Sequence, residues 1–143
     1  MNVDQLAESL RSDPMFMQNV VRWDVLPARP AVYEPFPDSL DPRLLPVLEK
    51  RGVHQLYRHQ AHAIREVLAG RDVVVVTPTA SGKTMCYNLP VLSAILQNDD
   101  ARALYLFPTK ALSADQVSEL YELIEAMDVD VKTFTYDGDT PAA

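Results

Sequence analysis

The eight residues TPTASGKT at positions 77–84 directly follow four consecutive valines at 73–76, and this arrangement constrains the fold of the chain most strongly. Four valines in a row predict a β-strand that is buried on both faces of a parallel sheet. Gly-Lys-Thr at the end of such a strand predicts a tight turn into a helix, where free backbone N–H groups meet the positive end of the helix. The sequence therefore predicts an α/β fold with an anion-binding loop.

The predicted loop carries side chains suited to nucleotide phosphates. Lys83 would reach the β- and γ-phosphates as a point charge, and the Thr84 hydroxyl would help to hold Mg²⁺. The pattern G-x-x-x-x-G-K-[ST] is incomplete because Thr77 occupies its first glycine position, but Gly82 still lets the backbone approach a phosphate closely. We expect ATP and Mg²⁺ to bind here, with a chance Gly-Lys-Thr in a solvated loop as the alternative. The expected phosphate-loop residues are Thr79, Ala80, Ser81, Gly82, Lys83 and Thr84.

A second group of candidate residues lies one helix upstream, in the sequence LYRHQ at 56–60. An apolar pattern predicts a helix after it, and Gly70 is the predicted C-terminal cap. Gln60 has both amide donors and an acceptor and can pair with the edge of adenine, while Tyr57 offers a flat face for stacking. These two residues are predicted to recognise the base of ATP.

Two further strands are predicted at 103–107 and 131–136, separated by an amphipathic helix. The first strand ends at Pro108, Thr109 and Lys110, and the second ends at the loop 137–140. Ligands of open α/β sheets bind at the carboxyl ends of the strands, so all three motifs are expected at one edge of the sheet. The apolar helix positions are Val117, Leu120, Tyr121, Ile124 and Met127.

Taken together, these motifs resemble the first RecA-like domain of superfamily 2 helicases of the DEAD/DEAH-box type. TPTASGKT resembles motif I, LYRHQ resembles the Q motif, and FPTKAL resembles motif Ia. The chain is most similar to the MrfA/YprA-like branch, DNA helicases with a C-terminal zinc-binding domain, through these segments and TYDGDTP. The resemblance covers about residues 52–141 and implies a partial RecA-like P-loop domain with a parallel sheet.

The resemblance also implies roles for individual residues. Gln60 would contact adenine, while Lys83 and Thr84 would act in catalysis on the phosphates and Mg²⁺. Three residues of motif Ia would contact the backbone of a bound single strand, and the loop after the third strand would add nucleic-acid contacts. The residues in these nucleic-acid contacts are Pro108, Thr109, Lys110, Gly138 and Asp139.

One element that the family needs for hydrolysis is absent from the sequence. In the family, an Asp-Glu pair on a later strand positions Mg²⁺ and the attacking water, and no Asp-Glu dipeptide occurs here. We therefore expect an N-terminal fragment of a longer protein, whose C-terminal helicase domain would be its partner. Alone, the fragment is expected to bind nucleotide weakly and to hydrolyse almost none.

The function expected of the parent is that of an ATP-dependent DNA helicase or translocase, with a role in DNA repair. An RNA helicase is the near alternative, although its usual motif Ia resembles PTREL rather than the PTKAL found at 108–112. A non-catalytic nucleotide-binding or interaction module is the third reading. The net charge of −7 opposes nucleic-acid binding, but a helicase domain needs a positive strip along only one edge.

The residues before the resemblance form a predicted N-terminal extension, residues 1–51, ahead of an ATP-binding domain at 52–143. Short helices are expected at 2–11 and 14–23, with Asp13 as the N-cap of the second. A proline-rich linker follows, and a further helix is expected to start at Asp41-Pro42 and to end at Gly52.

The chain has neither a membrane-length apolar run nor the basic start and apolar core of a secretory signal. Cys86 is its single cysteine and is expected to be a small buried apolar residue. A cytoplasmic location without a membrane partner is the resulting expectation.

Overall fold

The structure is a computed structural model that describes residues 2–28 and 30–140. The chain divides into two compact units, with the division after Pro30. Across the described ranges, each helix is too short or too polar to cross a lipid bilayer.

The first unit contains two short helices, α1 (Val3–Ser12) and α2 (Pro14–Met17). The start of α1 is fixed by a capping box, in which the Gln5 N–H donates to Asn2 Oδ1 at 2.8 Å and the Asn2 N–H donates back to Gln5 Oε1. Asp13 caps α2, as predicted. The expected extension of this helix to residue 23 is wrong, because β-branched Val20 and Val21 weaken a helix at this point.

The second unit begins with extended chain and a small antiparallel sheet. Strand β1 (Tyr33–Glu34) pairs with strand β2 (Leu56–Tyr57), so that the two tyrosines lie opposite each other. Their rings stack with centroids 5.0 Å apart. The contact holds the Tyr57 ring against Tyr33 at the point where β2 leads into the next helix.

Between the two strands, a 3₁₀ turn (Pro42–Leu44) leads into α3 (Leu45–Lys50), which ends before Gly52 as predicted. Asp41 is buried, and its backbone N–H donates to Ser93 Oγ at 2.8 Å. Hydrogen bonds from the Arg43 side chain lower the pKa of the Asp41 carboxyl to about 2, although burial alone would raise it. The hydrogen bond between buried Asp41 and Ser93 joins the chain just before the 3₁₀ turn to the helix that carries Ser93.

Three longer helices follow: α4 (Arg58–Leu68), α5 (Lys83–Gln97) and α6 (Lys110–Met127). The chain leaves α4 through Gly70, whose φ is +76° and whose N–H donates to the Val67 carbonyl at 2.9 Å. The predicted glycine at this helix end is confirmed. α4 packs against α5, and α3 contacts α6. The core between them contains Leu44, Leu48, Leu56, Ala61, Ile64, Leu89, Leu92, Leu120, Leu123 and Ile124.

The three segments predicted as parallel strands, 72–76, 103–107 and 131–136, are neither helical nor part of a hydrogen-bonded sheet in the part of the chain that the structure describes. Burial of the valine run on both faces is a wrong prediction, because Val74 and Val76 are 88% and 89% exposed. Leu104, Leu106 and Phe134 are likewise exposed by more than four fifths.

The exposure of these segments alternates along the chain, as it does in a strand with one covered face. Tyr105 and Val131 pack against the helical core, while their immediate neighbours face outward. The apolar segments thus have the alternating exposure of strands, but the hydrogen bonds between strands depend on neighbouring segments that the local sequence pattern does not specify.

Candidate functional site

The predicted phosphate loop forms a turn between the segment 72–76 and α5. Two of its residues have left-handed backbone conformations, Ala80 with φ +59° and Gly82 with φ +70°. Gly82 is the N-cap of α5 and makes no side-chain cap, so the first N–H groups of the helix are open to an external acceptor. The loop therefore has the backbone shape expected for an anion site at a helix N-terminus.

The Lys83 ammonium points back into the loop. Its Nζ donates to the Pro78 carbonyl at 2.7 Å and to the Thr77 carbonyl at 3.0 Å. The hydroxyls of Thr77 and Ser81 lie 2.6 Å from each other and each 3.4 Å from Nζ. The loop thus holds the lysine cation with its own oxygens, in the position where the sequence predicts phosphate oxygens.

Gln60 fixes the same loop from the start of α4. Its side chain is 3% exposed; Oε1 accepts from the Tyr57 N–H at 2.9 Å and Nε2 donates to the Gly82 carbonyl at 2.9 Å. A Cβ atom at position 82 would lie 2.5 Å from Gln60 Nε2. Two features therefore favour glycine at position 82: its positive φ and the close approach of the glutamine.

His59 is a site residue that sequence reasoning missed. Its Nε2 lies 3.0 Å from the Ser81 carbonyl, and its ring stacks on Tyr57 with centroids 5.8 Å apart. The available signal was its place beside Gln60 in the LYRHQ segment. Tyr57, His59 and Gln60 form one edge of the phosphate loop.

Thr84 follows Lys83 in the first turn of α5 and makes a contact that the sequence did not indicate. Its Oγ1 donates to Gln116 Oε1 at 3.0 Å, and the Tyr87 hydroxyl donates to the same oxygen. Gln116 lies on α6, 32 positions along the chain, so no local motif signals this contact.

The predicted nucleic-acid residues come together at the start of α6. Thr109 is the N-cap, and its Oγ1 accepts from the Leu112 N–H at 3.2 Å. The Lys110 ammonium pairs with the carboxylates of Asp137 and Asp139. Pro108, Thr109, Lys110 and Gly138 line a cleft of about 790 Å³, and Asp139 joins this surface through its ion pair with Lys110. The structure therefore brings all five predicted residues to one surface.

The acidic loop opposite Lys110 is held by its own hydrogen bonds. The Asp139 N–H donates to Asp137 Oδ1 at 2.9 Å, and this bond, with the Lys110 charge, lowers the pKa of the Asp137 carboxyl. A phosphate that binds Lys110 must replace these carboxylates as partners of the ammonium.

One other prediction concerns the single cysteine. Cys86 is buried in α5, as expected, and burial raises the pKa of its thiol. Within residues 2–28 and 30–140, no group of three or more His, Cys, Asp or Glu side chains is arranged to hold a metal ion.

A left-handed glycine at the N-terminus of a helix, followed by a lysine and a threonine, defines the class of P-loop proteins that bind nucleotide phosphates. Residues 57–143 match the family described as DEAD/DEAH box helicase. The chain belongs to this family, as its sequence motifs predicted, and has its RecA-like helicase fold.

Individual relatives agree with this assignment. The chain is 54% identical over 134 residues to the uncharacterized ATP-dependent helicase YprA of Bacillus subtilis, a match that spans 94% of this chain and 18% of that protein. It is 31% identical to the ATP-dependent helicase hrq1 of Schizosaccharomyces pombe, over 98% of this chain and 14% of the relative. The chain thus spans less than a fifth of the length of these relatives.

A solved structure is similar over almost the whole chain. The DUF1998 helicase MrfA, crystallised with DNA and AMPPNP, superimposes with a TM-score of 0.87 at 50% sequence identity. The match covers 99% of this chain and 19% of that protein. The predicted similarity to MrfA/YprA-like helicases is confirmed.

The contact between Gly82 and Gln60 gives a test of the loop geometry. Gly82→Ala should lower the free energy of unfolding by about 1–2 kcal/mol for the left-handed backbone and about 1 kcal/mol more for the lost Gln60 bond. Gly70→Ala is the matched control, because its φ is also positive while an added Cβ would meet nothing within 4 Å. Urea unfolding measures both losses.

In the Gln60→Ala background, Gly82→Ala should lower the free energy of unfolding only by the amount that the left-handed backbone causes, because the bond to Gln60 is already absent. Equal losses for Gly82→Ala and Gly70→Ala in the wild-type background would contradict the close contact between position 82 and Gln60.

Proposed function

We propose that this chain is the ATP-binding part of an ATP-dependent DNA helicase or translocase. The observation that carries the proposal is the loop at 77–82, which ends at left-handed Gly82 and encloses the Lys83 ammonium with its own oxygens. Membership of the DEAD/DEAH box helicase family supports it. The activity is proposed for the whole protein, of which residues 52–143 would form the start of the first RecA-like domain and residues 1–51 an N-terminal extension.

The phosphates of ATP fit the loop for chemical reasons. The first N–H groups of α5 are free of side-chain caps, and the Lys83 ammonium needs only to exchange carbonyl oxygens for phosphate oxygens. Such charge-assisted bonds are stronger than those to neutral carbonyls, which favours the exchange. We assign the phosphate contacts to the loop residues Thr79, Ala80, Ser81, Gly82, Lys83 and Thr84.

Adenine recognition is assigned to Gln60 and Tyr57. Each end of the Gln60 amide makes one bond to the backbone, and one N–H of Nε2 and one lone pair of Oε1 remain to pair with the edge of the base. This arrangement would make the position of the loop sensitive to the nucleotide. Tyr57 stacks on Tyr33 and on His59, so the ring predicted to stack on the base already has two aromatic neighbours, and the base would have to replace one of them.

The residues present also fit Mg²⁺. The Thr84 hydroxyl donates its proton to Gln116, so its lone pairs remain for a cation. Bound with ATP, Mg²⁺ would neutralise charge on the phosphate oxygens. Lys83 would contribute its charge beside the transferred phosphoryl group.

The nucleic-acid surface is assigned to the start of α6 and the loop 137–140, with DNA as the substrate. The crystal structure of the similar protein MrfA with bound DNA supports this choice. Thr109 and the first N–H groups of α6 would contact backbone phosphates, and Lys110 would exchange its carboxylate partners for them. The other contacts are assigned to Pro108, Gly138 and Asp139.

We also propose that segments 72–76, 103–107 and 131–136 join a parallel sheet in the whole protein. Their alternating exposure and the outward apolar side chains are what strands with one uncovered face would show. All three proposed motifs would then lie at the carboxyl edge of one sheet.

The phosphate role of Lys83 is tested by ATP hydrolysis in the whole protein. Lys83→Ala should reduce the ATPase rate by about 10² or more, because it removes the cation that faces the transferred phosphoryl group. Lys50→Ala, which removes an exposed lysine at the end of α3, should leave the rate unchanged. An unaltered rate in Lys83→Ala would exclude the proposed site.

The DNA role of α6 is tested by replacing Thr109 and Lys110 together with alanine. Single-stranded DNA binding should weaken equally for different sequences, and the salt dependence of log K should decrease by about 0.7 for the lost lysine contact. The measurement is a salt titration of labelled DNA, with labelled RNA of the same sequence in parallel, and with ATP affinity and thermal melting as controls.

If Thr109 only caps the helix, the double variant should lose about 1 kcal/mol of stability and keep the wild-type salt dependence. That result would remove the start of α6 from the DNA surface. Tighter wild-type binding to RNA than to DNA would favour an RNA helicase instead.

A further inference from the structure

Gln116 sits where the proposed phosphate site meets the helix that carries the proposed DNA contacts. Its Oε1 accepts hydrogen bonds from the Thr84 hydroxyl at 3.0 Å and from the Tyr87 hydroxyl. Its Nε2 donates to Asp115 Oδ2 at 3.1 Å. All the polar atoms of the side chain are thus engaged, and Thr84, Tyr87 and Gln116 are half-buried.

The partners of Gln116 fix which end of its amide faces Thr84. An ionised carboxylate only accepts hydrogen bonds, so Asp115 selects the NH₂ group. The amide oxygen must then face the two hydroxyls, and its two lone pairs match the two donors. A reversed amide would set its oxygen against the Asp115 carboxylate.

The orientation of the Gln116 amide determines whether the Thr84 hydroxyl donates or accepts hydrogen bonds. A threonine in a helix has two accessible χ1 rotamers, because its hydroxyl can also donate to a carbonyl of the preceding turn. The bond to Gln116 Oε1 selects one of these rotamers and directs the hydroxyl proton of Thr84 to Gln116. The lone pairs of Oγ1 then remain free to accept, which a hydroxyl ligand of a cation requires.

We infer that Gln116 is a positioning residue that orients the Thr84 hydroxyl for Mg²⁺ and joins the phosphate site to α6. The inference rests on the proposed nucleotide site and deepens it. Because Gln116 lies on the helix that starts at Lys110, a movement of α6 on a bound strand shifts the acceptor of the Thr84 proton. The bond provides a direct physical connection between the two proposed sites.

The test measures Mg²⁺-dependent binding of a fluorescent, non-hydrolysable ATP analogue to the whole protein. Gln116→Met keeps the length of the side chain but removes its acceptor. It should reduce the enhancement of nucleotide affinity by Mg²⁺ about tenfold, as is typical when the partner of a metal ligand is removed. Affinity measured in EDTA should stay within about twofold of wild type, because the phosphate contacts of the loop remain.

Two further variants separate positioning from packing. Gln116→Glu combined with Asp115→Asn keeps an acceptor for Thr84 and a donor–acceptor pair between positions 115 and 116, and should retain most of the Mg²⁺ enhancement. Tyr87→Phe removes the second donor to Gln116 but leaves the Thr84 bond, and should also retain it. Thermal melting of each variant monitors the fold.

The inference would be overturned if Gln116→Met left the enhancement of nucleotide affinity by Mg²⁺ unchanged, or lowered the affinity equally with and without Mg²⁺. It would also be overturned if Tyr87→Phe reduced the enhancement as much as Gln116→Met does. In those cases the proposed function stands if the wild-type protein binds the analogue more tightly with Mg²⁺. Failure of the wild-type protein to bind the analogue in either condition would overturn both.

Discussion

The hydrogen bond from Gln60 to the Gly82 carbonyl is the interaction on which the arrangement of this chain depends. It joins the start of α4 to the start of α5, and a Cβ atom at position 82 would lie 2.5 Å from its donor nitrogen. The bond places the first turn of α5, with Lys83 and Thr84, beside the Tyr57 and His59 rings. Gln60 is buried, and an unpaired amide there would cost about 1–3 kcal/mol, so the bond also selects one loop conformation.

The proposed phosphate site and the proposed DNA site are connected through side chains of α5 and α6. The loop encloses the Lys83 ammonium with carbonyl oxygens, and Lys110 is paired with two carboxylates. Both cations are thus held by partners that phosphate oxygens can replace. Gln116 joins α5 to α6, and the coupling that we propose between the two sites would run through this bond.

The sequence allowed prediction of features that depend on a few neighbouring residues. The Asp13 cap, the glycine at the end of α4, the loop before α5 and the start of α6 all follow from local chemistry. The roles of Val74 and Gln116 were not predictable in this way. Whether Val74 is exposed depends on which elements cover segment 72–76, and the local sequence does not specify them. The Thr84–Gln116 bond joins residues 32 positions apart.

A crystal structure of the protein with a non-hydrolysable ATP analogue and Mg²⁺ tests the central claim most directly. The account predicts phosphates at the N-terminus of α5, with Lys83 Nζ moved from the Thr77 and Pro78 carbonyls to within about 3 Å of a phosphate oxygen. Nucleotide bound elsewhere, with Lys83 still held by those two carbonyls, would contradict it.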